Sequence, residues 1–103
     1  PDILATISRM TEGRPELVVG FAAETDSVEE NAALKRERKG CDWIVANDVS
    51  GDVMGGSDNE IALVTEGGIE RWPRMDKLQV ARQLAERLAA YFAESGKPRV
   101  AAE

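Results

Sequence analysis

Two short apolar runs with a capped helix pattern between them restrict the fold of this chain more than any other feature. Leu17 to Phe21 and Asp42 to Ala46 are rich in valine, isoleucine and aromatic residues, and their apolar residues are consecutive, not alternating. That pattern belongs to strands covered on both faces, as in a parallel sheet. Between them Ser27 is followed three residues later by Glu30, the spacing of a capping box. Glu29 and Glu30 fall in the first turn, Lys35 to Lys39 bring the basic residues of the last, and Gly40 stands just past the end. The order strand, helix, strand predicts a βαβ unit whose crossover is right-handed.

The flanking segments are organised around that unit. Pro1 and Asp2 precede Ile3, Leu4, Ile7 and Met10 at helical spacing, and Glu12-Gly13-Arg14-Pro15 stops that helix. With no lead-in before this helix, the chain is expected to begin inside a larger domain. Asn47 to Asn59 holds three glycines among small polar residues and reads as a loop. Glu60 to Thr65 and Ile69 to Trp72 flank Glu66-Gly67-Gly68, a hairpin signature. Asp76 is placed to cap a last helix with a stripe of Leu78, Ala81, Leu84, Leu88 and Tyr91 or Phe92. Gly96-Lys97-Pro98 ends it, so residues 1–95 form the domain part and 96–103 a flexible tail. The expected class is α/β, with a mainly parallel sheet and a β-hairpin extension.

Composition removes several chemistries. The 103 residues contain no histidine, which excludes an imidazole base, Ser–His or Cys–His nucleophiles and His-rich metal sites within this chain. A single cysteine, Cys41, allows no intrachain disulfide and fits a reducing compartment. The net charge of −6 argues against nonspecific binding of nucleic acid or an anionic membrane, so an anion site must be a local basic island. No apolar run approaches the ~20 residues of a membrane span, and no signal-peptide pattern opens the chain. A cytoplasmic location follows as the expectation.

Lys35 and Lys39 are the sharpest candidates. Four positions apart, they share a helix face, and neither has a carboxylate four residues earlier. A polyphosphate would supply the missing negative charge. On spacing alone, stabilisation of the helix C-terminus is the simpler reading. Arg36 and Arg38 point elsewhere and are expected to be solvated or paired with Glu37. Phe21 ends the first strand, where α/β sheets place ligands, and either contacts a flat base or caps the core. Ala22 and Ala23 permit close approach to the backbone. Glu24 and Thr25 either orient a hydroxyl or metal-bound water or shape the turn. Asn47 either bonds a substrate or forms an Asx-turn, the safer reading, and Asp48 follows it. The glycines at 51, 55 and 56 lack a following Gly-Lys-Ser/Thr and make an ordinary loop or a lid. Asp52, Asp58 and Glu60 lack calcium-loop spacing, so the metal ligands stay unknown. Trp72 either anchors an interface or covers the core.

Taken in order, Pro1-Asp2-Ile3-Leu4, Val19-Gly20-Phe21-Ala22-Ala23-Glu24-Thr25, Ala33-x-Lys35-x-x-x-Lys39 and Ala46-Asn47-Asp48 resemble the C-terminal half of bacterial phosphopantothenate–cysteine ligase. Gly55, Ser57-Asp58-Asn59, the hairpin and the last helix extend the resemblance over nearly the whole chain. That ligase is usually the second domain of a bifunctional coenzyme A biosynthesis protein, behind a flavin-dependent decarboxylase.

The resemblance implies a three-layer, Rossmann-like domain working as a homodimer with CTP and Mg²⁺. It implies that the carboxylate of 4′-phosphopantothenate attacks the α-phosphate of CTP, giving an acyl-cytidylate and pyrophosphate. The cysteine amine then attacks the acyl-cytidylate and CMP leaves. By position, Phe21, Lys35 and Lys39 resemble CTP contacts, Pro1 the end of a nucleotide-contacting segment, and Asn47 a residue near the site. The family's glycine-rich opening, substrate-contacting asparagine, Ala-x-Asp base-pocket segment and lysine loop do not occur here. The missing N-terminal half is therefore a partner, FMN belongs only to the absent decarboxylase domain, and the isolated fragment is expected to hold no catalytic residue and to be inactive. The alternative is a non-catalytic nucleotide-binding or dimerisation module. A Rossmann oxidoreductase is disfavoured because no G-x-G-x-x-G joins a strand to a helix.

Overall fold

A computed structural model describes residues 2–49 and 58–95. Pro1, the glycines at 51, 55 and 56, Asp52, Ser57 and the expected tail lie outside them. The elements, in chain order, are α1 (Ile3–Ser8), β1 (Val19–Glu24), α2 (Val28–Lys39), β2 (Trp43–Asp48), β3 (Asp58–Thr65), β4 (Gly68–Arg71), β5 (Met75–Asp76) and α3 (Lys77–Ser95). The strands run in the order β1-β2-β3-β4, with β5 also paired to β3.

The βαβ unit forms as the sequence pattern requires. β1 and β2 are parallel, with Phe21 opposite Val45 and Ala23 opposite Asn47. The rest of the sheet corrects the expectation of a mainly parallel arrangement: β2–β3, β3–β4 and β3–β5 are all antiparallel. Connection length explains this. β2 ends at Asp48 and β3 begins at Asp58, whereas a parallel crossover takes roughly a dozen residues or more, usually including a helix. The hairpin is real, but its first strand lies inside the sheet. Asn47, Asp48, Asp58 and Asn59, expected in a loop, belong to β2 and β3.

Side-chain alternation builds two cores. Ile44, Ala46, Ala62 and Val64 face α1 and α2, where they meet Val18, Val28, Ala32 and Cys41. Trp43, Val45, Ile61 and Leu63 face the other way, toward Trp72 and the Val80, Leu84, Leu88 and Tyr91 stripe of α3. The result is three layers, helices on both faces of a mixed sheet. Leu78, expected in that stripe, is 61% exposed, because at about 100° per residue it lies well off the 80-84-88-91 line. Trp72 is buried and covers the core instead of anchoring an exposed interface. β1 departs from the expectation of burial on both faces: it is a sheet edge, and Phe21 is 62% exposed.

Helix starts divide in the same way. The expected box at Ser27 and Glu30 does not form. Ser27 is left-handed (φ 44°) and makes no side-chain cap, since a capping hydroxyl needs extended backbone at that residue. A reciprocal box forms at α3, where Gln79 N donates to Asp76 Oδ1 at 2.9 Å and Asp76 N donates to Gln79 Oε1 at 3.1 Å. Asp76 thus caps α3 as its position foretold. α1 is shorter than its apolar spacing implies and leaves Met10 41% exposed. It lies against β1 because Gly20 has no side chain: a Cβ there would come within 2.6 Å of Leu4 Cδ2.

Candidate functional site

β1 offers one open edge. Val18 O accepts from Asp42 N at 2.9 Å and Trp43 N at 3.2 Å, so Val18 faces β2. By strand alternation Val19, Phe21 and Ala23 turn their backbone groups to the open side. There Lys35 Nζ donates to Phe21 O at 2.8 Å. One turn further along α2, Lys39 forms an ion pair with Asp2, whose other oxygen accepts from Ala5 N at 3.0 Å and caps α1.

The Lys39 ammonium, helped by the Ala5 N–H, holds the Asp2 carboxyl below the usual aspartate range. A carboxyl depressed in the fold is ionised above its ordinary pKa and loses its pairing only as pH falls through the lower folded value. The Asp2–Lys39 contact is therefore intact at neutral pH. Both lysines hold exposed, exchangeable partners of the kind that contributes little in water. A ligand bearing several negative charges can displace them.

Behind this edge, on the α3 face, lies a cavity of about 550 Å³ lined by Phe21, Ala23, Asn47, Asn59, Lys77 and Val80, among others. Asn47 Nδ2 donates to Asn59 Oδ1 at 3.1 Å across the β2–β3 pair. Asn47 is thus a strand residue with a cross-strand amide partner, and the Asx-turn reading is replaced. Phe21 connects the two regions, since its carbonyl holds Lys35 and the residue lines the cavity.

The structure accordingly brings Phe21, Lys35 and Asn47 onto neighbouring positions of β1, α2 and β2, with Lys39 one turn away. Pro1 lies outside the described residues, but its neighbour Asp2 is at Lys39. Asp48 pairs with Arg71 at 3.2 Å, a contact within the fold. Arg36 is half-buried, and its Nε donates to Asp42 O at 2.7 Å. Among the described residues no three acidic or cysteine side chains converge as a metal cage. Sequence reasoning missed Asp2 as the partner of Lys39, and also Asn59 and Lys77. The last had a signal, a lysine directly after a capping aspartate, where the helix dipole disfavours a cation.

The model of the DNA/pantothenate metabolism flavoprotein C-terminal domain matches residues 1–92. The chain is 42% identical over 90 residues to the coenzyme A biosynthesis bifunctional protein CoaBC of Vibrio vulnificus, covering 85% of this chain and 22% of that protein. It is 37% identical over 99 residues to the protein of the same name from Escherichia coli K12, covering 94% of this chain and 24% of that one. A crystal structure of the C-terminal domain of a coenzyme A biosynthesis bifunctional protein CoaBC superposes with a TM-score of 0.72 at 32% identity, over 91% of this chain and 43% of that one. The chain spans less than a quarter of the length of these curated relatives. With nine-tenths of its length matched in the order described above, the chain belongs to the DNA/pantothenate metabolism flavoprotein C-terminal domain family.

Proposed function

We propose that this chain is the C-terminal half of a CTP-dependent phosphopantothenate–cysteine ligase of coenzyme A biosynthesis, and that it forms one wall of the nucleotide site. The observation that carries the reading is the pair Lys35 and Lys39, placed one turn apart at the open edge of β1 beside the exposed Phe21. The names of the relatives place them in the same pathway.

In this reading Lys35 leaves the Phe21 carbonyl and Lys39 leaves Asp2 to meet the triphosphate, while the Phe21 ring lies against the base. The carboxylate of 4′-phosphopantothenate attacks the α-phosphorus, a P–O bond forms, and pyrophosphate departs. The cysteine amine then attacks the acyl carbon of the acyl-cytidylate, CMP leaves, and the amine loses its proton. Two anions are brought together, so lysines that neutralise phosphate and walls that hold both reactants in line contribute most of the rate. Mg²⁺ would be held largely by the phosphates of the nucleotide with one or two carboxylates, and would offset the phosphate charge there. In this reading the ligation needs two walls, of which this chain supplies one. It acts with an N-terminal half that supplies the opposite wall, in the cytoplasm. Among the described residues no helix is long and apolar enough to cross a membrane.

Calorimetric titration of the full-length enzyme with CTP and ATP tests the nucleotide. CTP binding with loss on substitution of Lys35 supports the site; equal binding by the substituted enzyme overturns it. Asp2→Asn keeps an oxygen to cap Ala5 but removes the charge beside Lys39. CTP is expected to bind roughly two- to fivefold more tightly, the scale of an exposed ion pair. Weaker binding instead would mean that Asp2 positions Lys39 for the ligand.

The ligase is proposed to act as a homodimer. β4 is exposed along its whole length at the outer edge of the sheet, with Ile69 44% exposed. Sedimentation velocity of the full-length enzyme should show a dimer, and a monomer at assay concentrations would remove this part of the reading.

A further inference from the structure

We propose that Lys35 stands where a neighbouring strand belongs. The open side of β1 receives a parallel strand of the N-terminal half, and a main-chain amide of that strand takes over the Phe21 carbonyl. Lys35, no longer needed at the edge, is then free to turn to the nucleotide. The inference rests on the ligase reading, which supplies the N-terminal half, and it ties nucleotide affinity to the joining of the two halves.

The edge is built for such a strand. Val18 O accepts from Asp42 N and Trp43 N, and Glu24 O accepts from Val49 N at 2.9 Å, so the same alternation holds from one end of β1 to the other. In a strand, the N–H and C=O of one residue point to the same side when its neighbour is parallel. Those of Val19, Phe21 and Ala23 therefore form a row on the open side, the template that an edge strand offers to another chain segment. Among the described residues that row has one partner, Lys35 Nζ at 2.8 Å from Phe21 O. A ladder amide would stand at about 2.9 Å from the same oxygen. The ammonium thus holds the position of a strand N–H, and the two compete for it.

Handedness says where the next strand lies. α1 and α2 pack on one face of the sheet, and the β1–α2–β2 unit moves across that face from β1 to β2. Right-handed crossovers on one face all move in the same direction. A strand that reaches β1 through α1 therefore lies beyond β1, on its open side and parallel to it. The superposed CoaBC domain has chain for such strands, since the match takes up 43% of it. A site that is competent only in the joined form binds with an apparent affinity reduced by the fraction joined.

Residue-resolved amide hydrogen exchange of the unliganded full-length enzyme, wild type and Lys35→Gln, tests the proposal. In the wild type, the outward amides of Phe21 and Ala23 should exchange within about tenfold of the β2-facing amides of Gly20 and Ala22. Outward amides exchanging faster than that would mean an open edge and would overturn it. In Lys35→Gln, exchange along β1 should stay within about twofold of the wild type while CTP affinity falls, because a ladder amide and not the lysine holds the edge. A larger rise along β1 would show that Lys35 still holds Phe21 in the joined enzyme, and the proposal fails. If the wild-type enzyme binds no CTP, the ligase reading itself fails, and the exchange pattern still decides whether β1 is paired.

Discussion

Lys35→Gln in the full-length enzyme is expected to weaken CTP binding by roughly ten- to a hundredfold, because a charge-assisted contact to phosphate contributes about 1.5–3 kcal/mol. Lys39→Gln should cost less. In the unliganded state Lys35 gives up only a backbone carbonyl to reach a phosphate, whereas Lys39 must break an ion pair with Asp2. The glutamine variant of Lys39 loses a contact whose net value is already reduced by that competition. The two lysines are one turn apart, so their effects should couple, and a double-mutant cycle measures the coupling directly. Salt provides an independent check: each lost cation should reduce the dependence of affinity on ionic strength. CTP affinity that ignores both substitutions would remove the α2 end from the nucleotide site.

The lysine pair was legible in the sequence as a shared helix face, but its surroundings were not. Spacing placed Lys35 and Lys39 together; nothing in it indicated that one would hold the Phe21 carbonyl and the other a carboxylate of α1. The second of these depends on α1 lying across β1, which in turn depends on the absence of a side chain at Gly20. Lys77 and Asn59 escaped notice for a related reason. They come from the start of α3 and from β3, and only the antiparallel return of β3 beside β2 brings them to Phe21 and Asn47.

Local pattern served well where local physics decides. The central strands have consecutive apolar residues and are covered on both faces, and Gly40 ends α2 in the left-handed conformation expected of it. Pattern failed where tertiary context decides. β1 has the same apolar text as β2 but stands at the edge, leaving Phe21 and Ala23 open. Ser27 has the right residue three positions before a glutamate, yet its backbone turns left-handed and its hydroxyl cannot cap. Strand direction follows from the β2–β3 connection, which is shorter than a parallel crossover demands.

The largest stability effect should come from a residue with no part in the chemistry. Asp42 Oδ2 accepts from Val18 N at 2.8 Å and from Arg14 Nη2 at 2.9 Å. Arg14 Nε donates in turn to Ser8 O at 2.7 Å. One carboxylate therefore ties the end of α1 to the starts of β1 and β2. Asp42→Ala removes the acceptor and leaves the amide of the buried Val18 without it, at a cost of about 2–3 kcal/mol for a charge-assisted bond and a stranded donor. The Arg14 part of that cost is small, since the side chains are 25% and 36% exposed and water screens them. Asp42→Asn keeps an oxygen for Val18 and should lose only about 1 kcal/mol. Amide hydrogen exchange at Val18 reads the difference. The alanine variant should exchange roughly thirty- to a hundred-and-fiftyfold faster, the asparagine variant about fivefold, if local opening controls the rate. Equal exchange in the two would mean that the carboxylate acts through Arg14 alone. Because Val18 immediately precedes the strand that carries Phe21, the alanine variant should also lose affinity for CTP, while the asparagine variant should keep it.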